Sequence, residues 1–338
     1  MNITSKQLMS LSCAVALCSL VWSLPALVRS PFCVILPFIF ITAFLYCLKE
    51  FCAQKAPFFL KKPLLCLYAL WAAMNAFLYF ERFSYSLKIT VMKFSPKWFL
   101  SGVIAIVALY LLTRRRPLKT VMRLAEIIYP FSAFVIIIFF VMLIPFISKG
   151  GLRGATDMEQ AFDINAMTGL TAAFSPLFIP VLMGKKADFS FSKAVKYTAV
   201  FFVIASLYIL AFLLLPSLGK SSIFSLFTLS KAVNILGVLE RPEGLAVIVA
   251  AFLIMLSALF YISLFCYLAK EISGKSTRLF TAFLVAAVFI LSLFVNTSGV
   301  FLALEAAFSY INLLFSFFIP LVIMLMQAIK NLRGEEKC

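Results

Sequence analysis

An ionisable side chain inside a long apolar run is costly, and it persists where it pairs, lines a wet cavity or meets a ligand. Three places in this chain fit that description. Glu81-Arg82 lies about 18 residues into one apolar run, Glu305 a turn and a half into another, and Glu240-Arg241-Pro242-Glu243 directly before a third. Two readings stay open for them. Either they form an outer vestibule whose charges face a ligand, a partner protein or water, or they pair with one another and snorkel to headgroups. No basic residue neighbours Glu305 in sequence, so pairing has less to draw on there. The chain has no histidine, which removes Ser-His-Asp and Cys-His catalysis, imidazole metal sites and imidazole proton relays. Proton chemistry falls to carboxylates or water. We expect no catalytic residue, no metal, no cofactor and no enzymatic activity. The eight cysteines show no CxxC spacing and read as small buried hydrophobes.

Membrane helices must position these charges. Hydrophobic residues fill 64% of the 338 positions and charged residues 13%, a balance that a water-facing surface cannot cover. The apolar runs far exceed the roughly 10-residue alternating strands of a membrane barrel, which leaves helices. About 20 apolar residues cross the hydrocarbon, and the qualifying runs are 8–28, 31–51, 63–89, 96–113, 124–147, 164–183, 194–215, 244–269, 279–295 and 300–329. The expectation is an all-α integral membrane protein of about ten transmembrane helices in one domain, 1–338. A short helix at 221–238 is expected on the outer surface between the seventh and eighth spans. The run from Leu8 reads as a retained first helix rather than a cleaved leader.

In a soluble protein the net charge of +17 would suggest nucleic acid, but here the cations sit between spans and set orientation, so no nucleic-acid partner is expected. With the N-terminus inside, 20 of the 30 basic residues fall on the inner side. Both termini are therefore expected in the cytoplasm. Arg114-Arg115-Arg116 and Arg123 read as an orienting, headgroup-binding patch, and Arg123 can pair with Glu126 at i, i+3.

The first and sixth spans differ from the others. Each carries proline beside small or hydroxyl residues: Ser19-Leu20-Val21-Trp22-Ser23-Leu24-Pro25, and Thr168-Gly169-Leu170-Thr171 followed by Ser175-Pro176 and Pro180. Proline removes a ladder donor and clashes four residues back, and freed backbone groups at membrane depth need protein or a wet cavity to satisfy them. Breaks five spans apart suit two five-helix halves repeated with inverted topology around a midplane site. Simple kinks in packed helices are the alternative.

Four stretches carry a resemblance: Ile3-Thr4-Ser5-Lys6-Gln7; Arg82 followed by Ser95-Pro96; Arg123-Leu124-Ala125-Glu126-Ile127 with Pro130; and Leu239-Glu240-Arg241-Pro242-Glu243. In order and spacing they resemble the spore germination permeases, the GerAB-like B subunit of endospore germinant receptors, within the amino acid–polyamine–organocation transporter superfamily. The resemblance implies a LeuT-like fold with discontinuous helices 1 and 6, the halves being about 8–147 and 164–295, and helix 10 at 300–329 additional or closing the bundle. It also implies an A subunit and a lipoprotein C subunit as partners, and a small amino acid or related nutrient as ligand. The implied breaks fall on Cys18 to Ser23 and on Thr168 to Phe174. Ser19, Leu20, Trp22, Ser23, Thr168, Gly169, Thr171 and Phe174 are then the ligand-binding candidates. The family's glycines before the span-one proline fall on Cys18 and Leu20, and its acidic residue in span six on Phe174, so the pocket is tighter or its ligand different.

The expected function is a germinant-sensing subunit in a spore inner membrane, with both ends on the core side. An ion-coupled amino acid transporter using Glu81 or Glu305 is the first alternative, and a ligand-free assembly scaffold the second. Glu240, Arg241 and Glu243 are expected to serve stability or docking, because Pro242 and Glu243 suit a helix's first turn.

Overall fold

The computed structural model describes residues 3–22, 31–53, 62–90, 97–144, 164–183, 187–214, 226–227, 230, 242–274, 277–294 and 300–332. Seven of its helices are long and apolar enough to cross a membrane, and this is an all-α membrane-embedded protein. In chain order the first five helices are α1 (Ser5–Trp22), α2 (Ile35–Ala53), α3 (Lys62–Thr90), α4 (Lys97–Leu112) and α5 (Pro117–Leu143). The sixth span is divided into α6 (Ile164–Ala172), a tight 3₁₀ turn (Ser175–Phe178) and α7 (Ile179–Met183). Then come α8 (Phe191–Leu214), α9 (Pro242–Ser273) and α10 (Arg278–Phe294). The last apolar run is α11 (Val300–Leu313), a widened π turn (Leu314–Phe318) and α12 (Ile319–Leu332). Of the ten expected spans, those that fall short of the seven long helices are α4, α10 and the divided sixth.

Local chemistry accounts for the helix ends. Thr4 and Gln7 form a reciprocal cap at the start of α1: the Gln7 N–H donates to Thr4 Oγ1 at 3.3 Å, and the Thr4 N–H to Gln7 Oε1 at 3.5 Å. This is the capping-box pattern, three residues apart. Proline stands at the first position of both α5 and α9, where its missing N–H costs nothing, and Glu243 follows in the first turn of α9. Helix α9 stops at Gly274, whose φ of +69° lies in the left-handed region that favours glycine and whose N–H closes on the Lys270 carbonyl at 2.9 Å. In the last span Pro320 offers no N–H to the Ser316 carbonyl and crowds it, and the π turn lies immediately before it.

Two strands of two residues each, β1 (Ile3–Thr4) and β2 (Ala187–Asp188), pair in parallel. Ser5 Oγ accepts the Ser190 N–H beside them. The starts of α1 and α8 therefore lie at one end of the bundle, and the chain between them crosses an even number of times.

Helix α1 is central, with 16 of its 18 residues buried. It packs against α5, α8, α9, and α6 and the 3₁₀ turn of the sixth span. Helix α3 packs on α9, α2 on α8, and α4 on α10. Serine hydroxyls tie three of these helices together: Ser101 of α4 lies 2.7 Å from Ser84 of α3 and accepts from Ser292 of α10 at 3.1 Å.

One expectation is corrected. Helix α1 runs unbroken through Trp22, so Cys18 to Trp22 carry no interruption. Its sequence contains neither glycine nor proline, and Cys18 and Leu20 continue the ladder where glycines would have loosened it. Ser23 lies outside the described residues, as do Glu240 and Arg241 and most of the expected 221–238 helix. Within that segment Leu226 and Ser230 are buried.

Candidate functional site

The sixth span is interrupted at its centre, and its backbone hydrogen bonds account for the shape. The Ala173 N–H still reaches the Gly169 carbonyl, but the Phe174 N–H turns to Thr171 and the Leu177 N–H to Phe174, each one residue short of the α pattern. Pro176 has no N–H to give the Ala172 carbonyl. The Ala172 and Ala173 carbonyls thus lose the donors that a regular helix would supply, at the C-terminal, partially negative end of α6. Both residues are buried. The break falls on 173–178, a few residues beyond the expected 168–174, because Pro176 forces it and Gly169 does not.

A file of aromatic and polar side chains on α3 faces this break. Tyr68, Trp71, Asn75, Tyr79 and Arg82 follow one another at steps of three and four and share a face. Ser175 Oγ lies 2.7 Å from the Tyr261 hydroxyl of α9, both fully buried. Tyr261 stacks on Tyr79, 5.5 Å between centroids, and the Arg82 guanidinium lies 4.9 Å from the Tyr79 centroid, within cation–π range. Lower in the file, Phe178 of the 3₁₀ turn stacks on Tyr68 and meets Trp71 edge-on.

The file also fastens the π turn. Trp71 Nε1 donates to Asn312 Oδ1 at 2.8 Å, Asn75 Nδ2 donates to the same oxygen at 3.0 Å, and the Tyr68 hydroxyl donates to the Phe315 carbonyl at 2.8 Å. Two irregular backbones, in the sixth and last spans, thus lean on one helix that spans regularly.

The ligand candidates are distributed unevenly. Ser19 is half-buried on α1, while Leu20 and Trp22 are buried, Trp22 edge-on to Tyr85 at 5.9 Å. Thr168 and Gly169 are half-buried on α6. Thr171 is buried and donates its hydroxyl to the Met167 carbonyl at 2.8 Å, inside its own helix. Phe174 is fully buried between Phe201 and Phe202 of α8, at 4.8 and 5.7 Å, so it packs away from α3. Glu81 is completely buried on α3 and Arg82 half-buried. Glu243 is half-buried in the first turn of α9, and Glu305 lies in α11. Among the described residues no group of three Cys, Asp or Glu side chains clusters as metal ligands.

Sequence reasoning missed Tyr68, Trp71, Asn75, Tyr79, Ser175, Tyr261 and Asn312. The signal for the α3 residues was present as one polar-aromatic stripe within an apolar span. Asn312 and Tyr261 carry no comparable local mark. Compared with known proteins, the chain matches no protein-family model and no curated protein.

Proposed function

We propose that the chain is the germinant-sensing transmembrane subunit of a spore inner-membrane nutrient receptor, taking a small amino acid-like ligand at the sixth-span break and signalling to an A subunit and a lipoprotein C subunit. The observation that carries this reading is the break itself: buried carbonyls of Ala172 and Ala173 at a helix C-terminus suit an ammonium group. The packing supports a LeuT-like pair of inverted repeats. The first span touches the sixth, the second the seventh, the third the eighth and the fourth the ninth, an arrangement that suits two five-span halves packed face to face. Ligand entry would favour one of two packings of the break against α3 and α9, and the partners would read the shift.

The test is genetic. Spores lacking the chain should stop responding to one nutrient while still germinating by nutrient-independent routes, and an unchanged nutrient profile would refute the proposal. A second reading, an ion-coupled amino acid transporter, is favoured by the completely buried Glu81, since an intramembrane carboxylate is a customary coupling group. Uptake into proteoliposomes that depends on an ion gradient and is lost in Glu81→Gln would select it.

A further inference from the structure

Away from the sixth-span break, a groove of about 820 Å³ opens between α3, α9 and α10, within the ~300–1,000 Å³ of ligand sites. Small side chains make its floor, Ala69 and Ala73 on α3 and Ala269 on α9, and Leu70, Phe280 and Leu284 make its rim. Leu70 and Phe280 are 59% and 60% exposed, so the slot opens sideways along the helices. Hydrocarbon walls alone accept any lipid tail. The end of the groove adds a chemistry.

Helix α3 begins at this end, α9 finishes and α10 begins. Lys62, Lys270 and Arg278 stand exposed there. Arg278 Nη2 donates to the Arg114 carbonyl at 3.3 Å, which draws the exposed Arg114-Arg115-Arg116 loop to the same mouth. Glu271, exposed beside Lys270, offsets one of these charges and leaves a strong cationic excess. Ser273 and Thr277 line the groove where it meets them.

We propose that this groove is a binding site for an anionic phospholipid, with an acyl chain lying over Ala69, Ala73 and Ala269 and the phosphate held by Arg278 and the Arg114 loop. Charge complementarity at the mouth commits the site to an anionic headgroup, and the alanine floor makes room for the chain. The site does not depend on what the sixth-span break binds.

Native mass spectrometry of the full chain tests it, with phosphatidylglycerol and phosphatidylcholine of matched acyl chains as probes and inorganic phosphate as a third arm. The wild type should retain phosphatidylglycerol selectively. Replacing two arginines, Arg114→Gln with Arg278→Gln, should weaken that lipid about thirtyfold and leave phosphatidylcholine unchanged. Ala73→Phe fills the floor and should reduce retention of both lipids. Equal retention of the two lipids by the wild type would overturn the proposal, as would undiminished selectivity in the double arginine variant. Thermal stabilisation by inorganic phosphate equal to that by phosphatidylglycerol would also overturn it, since no acyl site is then needed. Both arginines are exposed, so the double variant remains a usable test if Ala73→Phe does not fold.

Discussion

The Tyr261 hydroxyl and Ser175 Oγ stand 2.7 Å apart in the bundle interior and join the turn that interrupts the sixth span to the middle of α9. Neither has water to fall back on, because both residues are buried. Tyr261→Phe and Ser175→Ala should each lower stability by about 1 kcal/mol, read as thermal unfolding in detergent. Made together they should cost less than the sum, since the second removes a partner already lost. Strict additivity would mean that the two hydroxyls do not depend on each other.

Asn312 accepts from both Trp71 and Asn75 through one oxygen. Asn312→Leu strands an indole N–H, and Asn75 keeps only its bond to the Trp71 carbonyl at 3.0 Å. The expected loss is about 1–3 kcal/mol, with increased protease sensitivity in the last span. A variant as stable as the wild type would show that the Asn312 bonds contribute nothing to holding the π turn, leaving the Tyr68 bond to the Phe315 carbonyl and apolar packing to hold it.

How much of this could be read in advance differs from one residue to the next. The sixth span was expected at 164–183, and α6 and α7 begin and end there, because an apolar run bounded by Asp163 and Gly184-Lys185 needs no tertiary information to locate. The break within it was expected over 168–174 beside Pro176 and Pro180, and it falls a few residues later, on 173–178, because the helix tolerates Gly169 and yields only where Pro176 withholds its N–H. Trp22 and Phe174 were legible as large residues near the breaks. Which neighbour each would face was not, since Phe174 turns to α8 and Trp22 to Tyr85. Asn312 was invisible for a different reason: it meets α3 beside a π turn, whose extra residue shifts the register that a 3.6 period assumes.

The parallel pairing of Ile3–Thr4 with Ala187–Asp188 places the starts of α1 and α8 on one face. Lys6 and Lys193 are exposed beside those starts. Lys6→Cys and Lys193→Cys, in a background with the exposed Cys47 and Cys66 replaced by serine, should label with a membrane-impermeant thiol reagent from the same side. Opposite-side labelling would break the even crossing count. Thr4→Ala should in addition cost about 1 kcal/mol through its cap.

Neighbouring positions on α4 should respond in opposite ways. Ser101 bridges Ser84 and Ser292 in a fully buried site, so Ser101→Leu overpacks it and removes both bridges, while Ser84 and Ser292 keep their bonds to the Phe80 and Phe289 carbonyls, and we expect a loss of about 1–3 kcal/mol. At Gly102 an added Cβ would meet Phe289 at 3.9 Å, ordinary contact distance. Gly102→Ala should therefore be neutral or stabilising by up to about 1 kcal/mol through helix propensity. Comparing the two unfolding midpoints checks the packing of α4 against α10.

Replacing Pro176 and Pro180 together bears on the proposed function directly. Pro176→Ala restores a donor for the Ala172 carbonyl and Pro180→Ala one for the Pro176 carbonyl, so residues 164–183 gain the hydrogen bonds of a continuous helix. Regularising the turn rotates Ser175 away from Tyr261 and closes the carbonyl face that we assign to the ligand. The double variant should reach normal membrane levels, because healing a helix in a bilayer removes unsatisfied polar groups, while nutrient-triggered germination falls to that of spores lacking the chain. A variant that accumulates normally and still responds to its nutrient would place the ligand elsewhere, whereas one that fails to accumulate would show that the break is needed to pack α3 and α9.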